Sequence, residues 1–158
     1  MKKIALALFA LLSINAWAQG GRSKYVINID LNKVSNDLLD IEMIVPAVSA
    51  NKIEFQMPKM VPGTYAIYDF GRFLIDVRAY DSLGNELTIK ALSENRFEIN
   101  NAQKLYKLKY KAEDTFDTKQ DNKIFEPAGT NIEEGKNFVI NTFGYFGYLA
   151  GMKNMPYE

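Results

Sequence analysis

Tyr25-Val26-Ile27-Asn28-Ile29-Asp30-Leu31-Asn32 and, past the polar turn Ser35-Asn36-Asp37, Leu39-Asp40-Ile41-Glu42-Met43-Ile44-Val45 decide the fold. In the first run Tyr25, Ile27, Ile29 and Leu31 alternate with Val26, Asn28, Asp30 and Asn32. In the second, Leu39, Ile41, Met43 and Val45 alternate with Asp40, Glu42 and Ile44. Side chains of a strand point to opposite faces in turn, so a period of two marks a strand with one face in the core and one in water. Two such runs joined by a turn rich in Ser, Asn and Asp read as an antiparallel hairpin.

The same period recurs outward from this hairpin. Ile53, Phe55 and Met57 face away from Lys52, Glu54 and Gln56, and Pro58 ends that strand. Phe73, Ile75, Val77 and Ala79 alternate with Leu74, Asp76, Arg78 and Tyr80 before the turn Asp81-Ser82-Leu83-Gly84-Asn85. Leu87 with Ile89, then Phe97 with Ile99, predict two short strands, and Asn100-Asn101 a further turn. Tyr106, Leu108 and Tyr110 alternate with Lys107, Lys109 and Lys111; that register puts the lysines on a solvated sheet face rather than along a polyanion track. The unbroken run Phe138-Val139-Ile140 predicts a strand buried on both faces. A helical period is absent except for a short turn near Tyr68 to Phe73. About seven to nine short strands at regular spacing predict an all-β protein, an antiparallel β-sandwich.

Composition narrows the chemistry. Hydrophobic residues make up 47% of the 158, enough to fill a core. Nineteen basic and nineteen acidic residues give no net charge, so the chain has no global field for a nucleic acid. There is no histidine and no cysteine. Imidazole bases, Ser-His-Asp triads, His or Cys zinc ligands, thiolate nucleophiles and disulfides are therefore excluded. What remains is carboxylate chemistry, an oxygen-lined cation site, or no chemistry.

Met1-Lys2-Lys3, the apolar run Ile4 to Leu12 and the small-x-small site Ala16-Trp17-Ala18 predict a secretory signal peptide over residues 1–18, with a mature β domain over 19–158. The apolar run is far short of the ~20 residues that span a bilayer. The expected location is periplasmic or extracellular, with no membrane span after cleavage.

Glu113, Asp114, Asp117 and Asp121 form the densest acidic stretch, but they lack the alternation, central glycine and closing glutamate of a calcium loop and read as a solvated loop. Gly129 and Gly135-Lys136 imitate a phosphate loop, with one residue too many between the glycines and Asn137 where a Ser or Thr is needed. A carboxylate hydrolase needs two acids converging about 5 to 9 Å apart, and no pair here is brought together by spacing. Phe143-Gly144-Tyr145-Phe146-Gly147-Tyr148 reads as core or interdomain packing, with Tyr145, Phe146 and Tyr148 as the contact surface of a free-standing periplasmic binding or adhesion module as the alternative. The most distinctive block is Met57-Pro58-Lys59-Met60-Val61-Pro62-Gly63-Thr64-Tyr65-Ala66-Ile67-Tyr68-Asp69-Phe70-Gly71-Arg72-Phe73. Its prolines and glycines predict a structured corner in which Asp69 and Arg72 are close enough to pair. It is too apolar for an ordinary exposed loop, so something should cover it.

Through Pro62-Gly63-Thr64-Tyr65, Asp69-Phe70-Gly71-Arg72 and the strand onward to Ala79 and Asp81, the chain resembles the N-terminal domain of the glycyl aminopeptidase family, the sixty-first family of metallopeptidases. Gly129-Thr130-Asn131 and the stretch from Phe138 to Gly147 extend the resemblance over most of residues 24–158. The resemblance implies a β domain that precedes a thermolysin-like catalytic domain, packs on it and helps to shape the peptide cleft. It implies zinc in that second domain, held by a His-Glu-x-x-His helix and a further glutamate. None of those ligands maps onto this chain, so no catalytic residue, metal ligand or cofactor is expected within it, and the expectation is a piece of a longer zinc aminopeptidase. Tyr65, Asp69, Arg72, Gly129, Thr130 and Asn131 are the candidates for the substrate cleft or the domain interface. The partners implied are the chain's own catalytic domain and the parent's peptide substrate.

Overall fold

The computed structural model describes residues 21–158; the expected signal peptide lies outside the described residues. The hairpin forms: β1 (Val26–Ile29) pairs antiparallel with β2 (Leu38–Ile44), from Val26 opposite Ile44 to Ile29 opposite Ile41, but β1 ends before Leu31, which lies in a turn, 39% exposed, rather than on the core face. Then come β3 (Lys52–Gln56), a 3₁₀ turn (Phe70–Phe73), β4 (Leu74–Asp81), β5 (Glu86–Leu87), β6 (Ile89–Ser93), β7 (Arg96–Asn100) and β8 (Leu105–Glu113). The two short strands β9 (Asn131–Glu133) and β10 (Asn137–Val139), one helical turn (Thr142–Tyr145) and β11 (Tyr148–Leu149) complete the chain. Among the described residues eleven strands form a five-stranded sheet in the order β1-β2-β8-β4-β5, a four-stranded sheet β11-β3-β7-β6, and the β9-β10 ribbon, all with antiparallel pairings. The all-β sandwich stands; the strands beyond nine are segments of two or three residues too short to carry a period.

The core fills the space between the two larger sheets. Leu39, Ile41, Met43, Ala79, Leu108 and Tyr110 come from one and Phe55, Ile99 and Leu149 from the other, all buried. Phe55 of β3 meets Tyr110 of β8 at 5.7 Å between ring centres, which joins the sheets. Each of the larger apolar side chains contributes about 1.5–3 kcal/mol by leaving water.

Three further expectations need correction. The alternation assigned to β4 breaks at a bulge: Ile75 faces Lys111 and Arg78 faces Lys109, so β4 spends one more residue than β8 on the same step, and Asp76 takes the left-handed conformation (φ 55°). Ile75 therefore shares the outer face with Arg78, and is 43% exposed. A second irregularity, between Tyr80 opposite Lys107 and Asp81 opposite Leu105, buries Leu105 and turns Tyr106 partly outward. There the Arg22 guanidinium lies 4.8 Å over the Tyr106 ring and donates to the carbonyls of Val45 and Leu105, each at 2.8 Å. Finally, Phe138-Val139-Ile140 is not a doubly buried strand. β10 belongs to a two-stranded ribbon outside the two larger sheets; Phe138 is half-buried against the core, but Val139 is 42% and Ile140 37% exposed.

The lysine row lies on the outer face of the five-stranded sheet, as its register predicts. Glu42 takes Lys107 at 2.9 Å and Lys109 at 3.1 Å, and Asp40 takes Lys111 at 3.6 Å. The last residues return to β1: Tyr25 N–H donates to the Pro156 carbonyl, Ile27 N–H to that of Glu158, and the Tyr25 and Tyr157 rings stack at 4.6 Å.

Candidate functional site

The corner between β3 and β4 is a closed loop. Tyr68 and Asp69 both donate their backbone N–H to the Lys59 carbonyl, at 2.7 and 3.0 Å, and Phe70 N–H reaches Pro58 at 3.2 Å. Inside it the Thr64 N–H and hydroxyl both donate to the Val61 carbonyl, and Gly63 supplies the positive φ (92°) for the turn. Tyr65 follows with φ 55°, an uncommon conformation for an aromatic residue, and its side chain is 97% exposed.

Asp69 and Arg72 do not pair, contrary to the expectation from their spacing. The Asp69 carboxylate accepts from the Asn95 amide at 2.6 Å, while the Asn95 side-chain oxygen accepts from Gly71 N–H at 2.9 Å. Asn95 is buried beneath the corner, and a Cβ on Gly71 would stand 2.0 Å from the Glu94 carbonyl oxygen, so only glycine lets the two backbones touch. Arg72 points the other way. Its Nε donates to the Tyr68 carbonyl at 2.8 Å, and its two terminal nitrogens to the carbonyls of Asp121 and Asn122 at 2.6 Å each. The guanidinium also lies 4.4 Å over the Phe73 ring. Asp69 thus ties the corner to the β6-β7 turn, and Arg72 ties it to the loop between β8 and β9.

That loop is anchored from within. Asp114, read from sequence as part of a solvated acidic loop, is 3% exposed. Its carboxylate accepts the N–H groups of Phe116 and Ile132, and burial pushes its pKa above the ordinary value. Thr130 is likewise buried, exchanging bonds with Thr115: Thr130 N–H to the Thr115 hydroxyl at 2.8 Å and Thr115 N–H to the Thr130 carbonyl at 3.1 Å. Gly129 lies where a Cβ would come within 2.6 Å of the Thr115 hydroxyl oxygen. The helical turn Thr142–Tyr145 closes the group: a Cβ on Gly144 would meet Thr130 at 2.8 Å and the Phe70 ring at 3.5 Å. Tyr145 is fully buried, and Tyr110 O–H donates to its carbonyl at 2.7 Å. The Tyr145 ring therefore cannot serve the contact surface of the binding-module alternative. Burial pushes the phenols of Tyr110 and Tyr145 well above the ordinary range, so neither serves as a base near neutral pH.

Of the six residues singled out from sequence, Asp69, Arg72, Gly129 and Thr130 brace one end of the sandwich, Asn131 starts β9 half-buried, and Tyr65 alone is fully presented. Met60 at 44% and Ile67 at 59% are exposed in the same loop as Tyr65, and Phe125 at 61%, Ile140 at 37% and Phe143 at 36% are exposed on the segments that Arg72, Asn122 and Asn141 bond in series to that corner. Phe125 carries no signal in the sequence, where Lys123 and Glu126 flank the pair Ile124-Phe125 without a period, whereas Ile140 reads as part of a buried strand. Asn95 was missed because its partners lie more than twenty residues away along the chain. Among the described residues no group of three or more Asp or Glu could hold a metal ion.

Residues 26–158 match the family described as the Peptidase M61 N-terminal domain. The chain belongs to that family. An aminopeptidase N family protein from Idiomarina loihiensis has a similar fold, with a TM-score of 0.70 over 84% of this chain at 16% identity. The chain spans 21% of that protein's length. No curated protein matches the chain. In this M61 N-terminal domain the motif from Pro62 to Arg72 is thus both the part presented, at Tyr65, and the brace beneath it, at Asp69 and Arg72.

Proposed function

We propose that the chain is the non-catalytic N-terminal domain of an exported zinc aminopeptidase, in which it packs on the catalytic domain and forms one wall of the peptide cleft. The observation that carries this reading is membership of an M61 N-terminal domain family in a sequence with neither histidine nor cysteine. A hydrolytic zinc needs nitrogen, sulfur or converging carboxylate ligands with one position left open. The side chains present do not fit that ion, so no step of hydrolysis is assigned to them. The parent's zinc and its activated water belong to a separate domain, and this one contributes shape. Tyr65 is the candidate for the boundary where the cleft wall and the domain interface meet, because it is the most exposed side chain of the motif, at 97% against 59% for Ile67. Asp69, Arg72, Gly129, Thr130 and Asn131 act behind it by holding the loops in place.

Reading the gene beyond the codon for Glu158 tests the proposal. An in-frame catalytic domain with a His-Glu-x-x-His helix is expected; a stop codon with no such domain would contradict it.

A further inference from the structure

We propose that the apolar rim formed by Met60, Tyr65, Ile67, Phe125, Ile140 and Phe143 is the surface on which the catalytic domain of the parent peptidase sits. The inference rests on the functional reading above and names the face involved.

These are six of the twelve large hydrophobic side chains left exposed among the described residues. They come from three separate loops, yet hydrogen bonds join those loops into one platform. The Asn122 side-chain amide donates to the Ile67 carbonyl at 3.1 Å, and Arg72 holds the Asn122 carbonyl at 2.6 Å. Farther along, Ala128 N–H donates to the Phe125 carbonyl at 2.7 Å, and the Asn141 amide to the Ala128 carbonyl at 2.8 Å. A platform already braced in this way loses little conformational freedom when a partner covers it, which is the condition for rigid docking. Tyr65 fits the role of anchor: a large amphipathic ring with few rotamers, held outward by a turn that imposes a left-handed backbone.

The other broad faces are self-satisfied. The outer groove of the five-stranded sheet, about 960 Å³, is lined by four basic and four acidic residues. Each base there has its acid: Lys33 with Asp30, Arg78 with Asp76, Lys109 with Glu42 and Lys111 with Asp40. On the outer face of the four-stranded sheet, Lys52 pairs with Glu98 and Arg96 with Glu54. Covering either face would desolvate paired charges for little gain. A lipid surface is a poor occupant of the rim, because Lys59, Lys119 and Lys123 are offset by Asp117, Asp121 and Glu126 in the same loops. A second domain of the same protein is the better one: the family is by description an N-terminal domain, and the similar solved chain continues for four fifths of its length beyond this fold.

The test uses the full-length enzyme with a benzophenone photo-crosslinker placed at position 65 or 125 and, as controls, at the exposed positions 83 and 92. Irradiation followed by peptide mass mapping is expected to join positions 65 and 125 to peptides of the catalytic domain, with loss of those products at 83 and 92. Crosslinks from 83 or 92 but not from the rim would overturn the docking face while leaving the family reading intact. So would rim crosslinks only to a second copy or to lipid, or none from any position. A gene product without a catalytic domain, evident before irradiation, would remove the functional reading and this inference together.

Discussion

Replacing Arg72 by alanine removes the fork that ties the β3-β4 corner to the loop between β8 and β9. The variant loses a bond of 2.8 Å to the Tyr68 carbonyl, two of 2.6 Å to the carbonyls of Asp121 and Asn122, and the contact with the Phe73 ring. The bond to Tyr68 is partly buried and is worth about 1 kcal/mol, the two exposed bonds about 0.5 kcal/mol each, and the ring contact about 0.5 kcal/mol. The expected loss is therefore about 2–3 kcal/mol, which in a domain of this size lowers the melting midpoint by roughly 6–12 °C. Thermal unfolding followed by circular dichroism reads the shift. Trypsin reads its location, since Lys119 and Lys123 flank the released carbonyls and both are exposed; nicking there should accelerate before global unfolding does. Arg72→Lys should lose most of the same stability, because an ammonium cannot span three carbonyls in a planar fork. An unchanged midpoint together with unchanged cleavage at Lys119 and Lys123 would refute the view that Arg72 braces the loop.

Further outcomes follow from the same geometry. Gly71→Ala drives a methyl group into backbone at Glu94 and Asn95, so soluble yield and melting midpoint should both fall by more than for Gly84→Ala, where only the positive φ is strained and no atom lies within 4 Å. Asp114 binds its proton more tightly folded than unfolded, so between the ordinary value of 3.8 and its raised folded value the folded state holds more protons and this group's contribution falls as pH rises. In urea titrations across that window, Asp114→Asn should abolish this slope while lowering stability at every pH, since an amide oxygen cannot replace both bonds to Phe116 and Ile132; a slope identical to the parent's would contradict it. Arg96 and then Gln56 hydrogen-bond the Glu54 carboxylate and hold its pKa at about 2, so carboxyl NMR of Arg96→Gln should find Glu54 titrating higher, part of the way back toward the ordinary 4.5, with the Gln56 bond still in place. No movement of that resonance would remove the proposed pairing.

Sandwich architecture was legible because burial on one face imprints a period of two wherever a strand runs unbroken, as in β2 and β3. The period failed where the chain spends an extra residue. At Asp76 the bulge puts Ile75 on the wet face, a position indistinguishable from core when only spacing is read. Phe138 to Ile140 misled for a different reason: an apolar run says that burial is wanted, not that both faces receive it, and only Phe138 packs against the core. At the candidate site, the presence of a structured corner could be read from Pro62, Gly63 and Gly71, which force turns or close approach. The partners of Asp69 and Arg72 could not, because Asn95 and the carbonyls of Asp121 and Asn122 are brought to them only by sheet topology. Asp114 looked solvated because its neighbours Asp117 and Asp121 are; its burial depends on two backbone N–H groups, one of them eighteen residues away.

Hydrolysis of a fluorogenic aminoacyl substrate by the purified chain, with zinc added and with chelator added, tests the division of labour most directly. A folded domain that only shapes a cleft should give background turnover in both conditions, and a zinc-dependent rate abolished by chelator would contradict it.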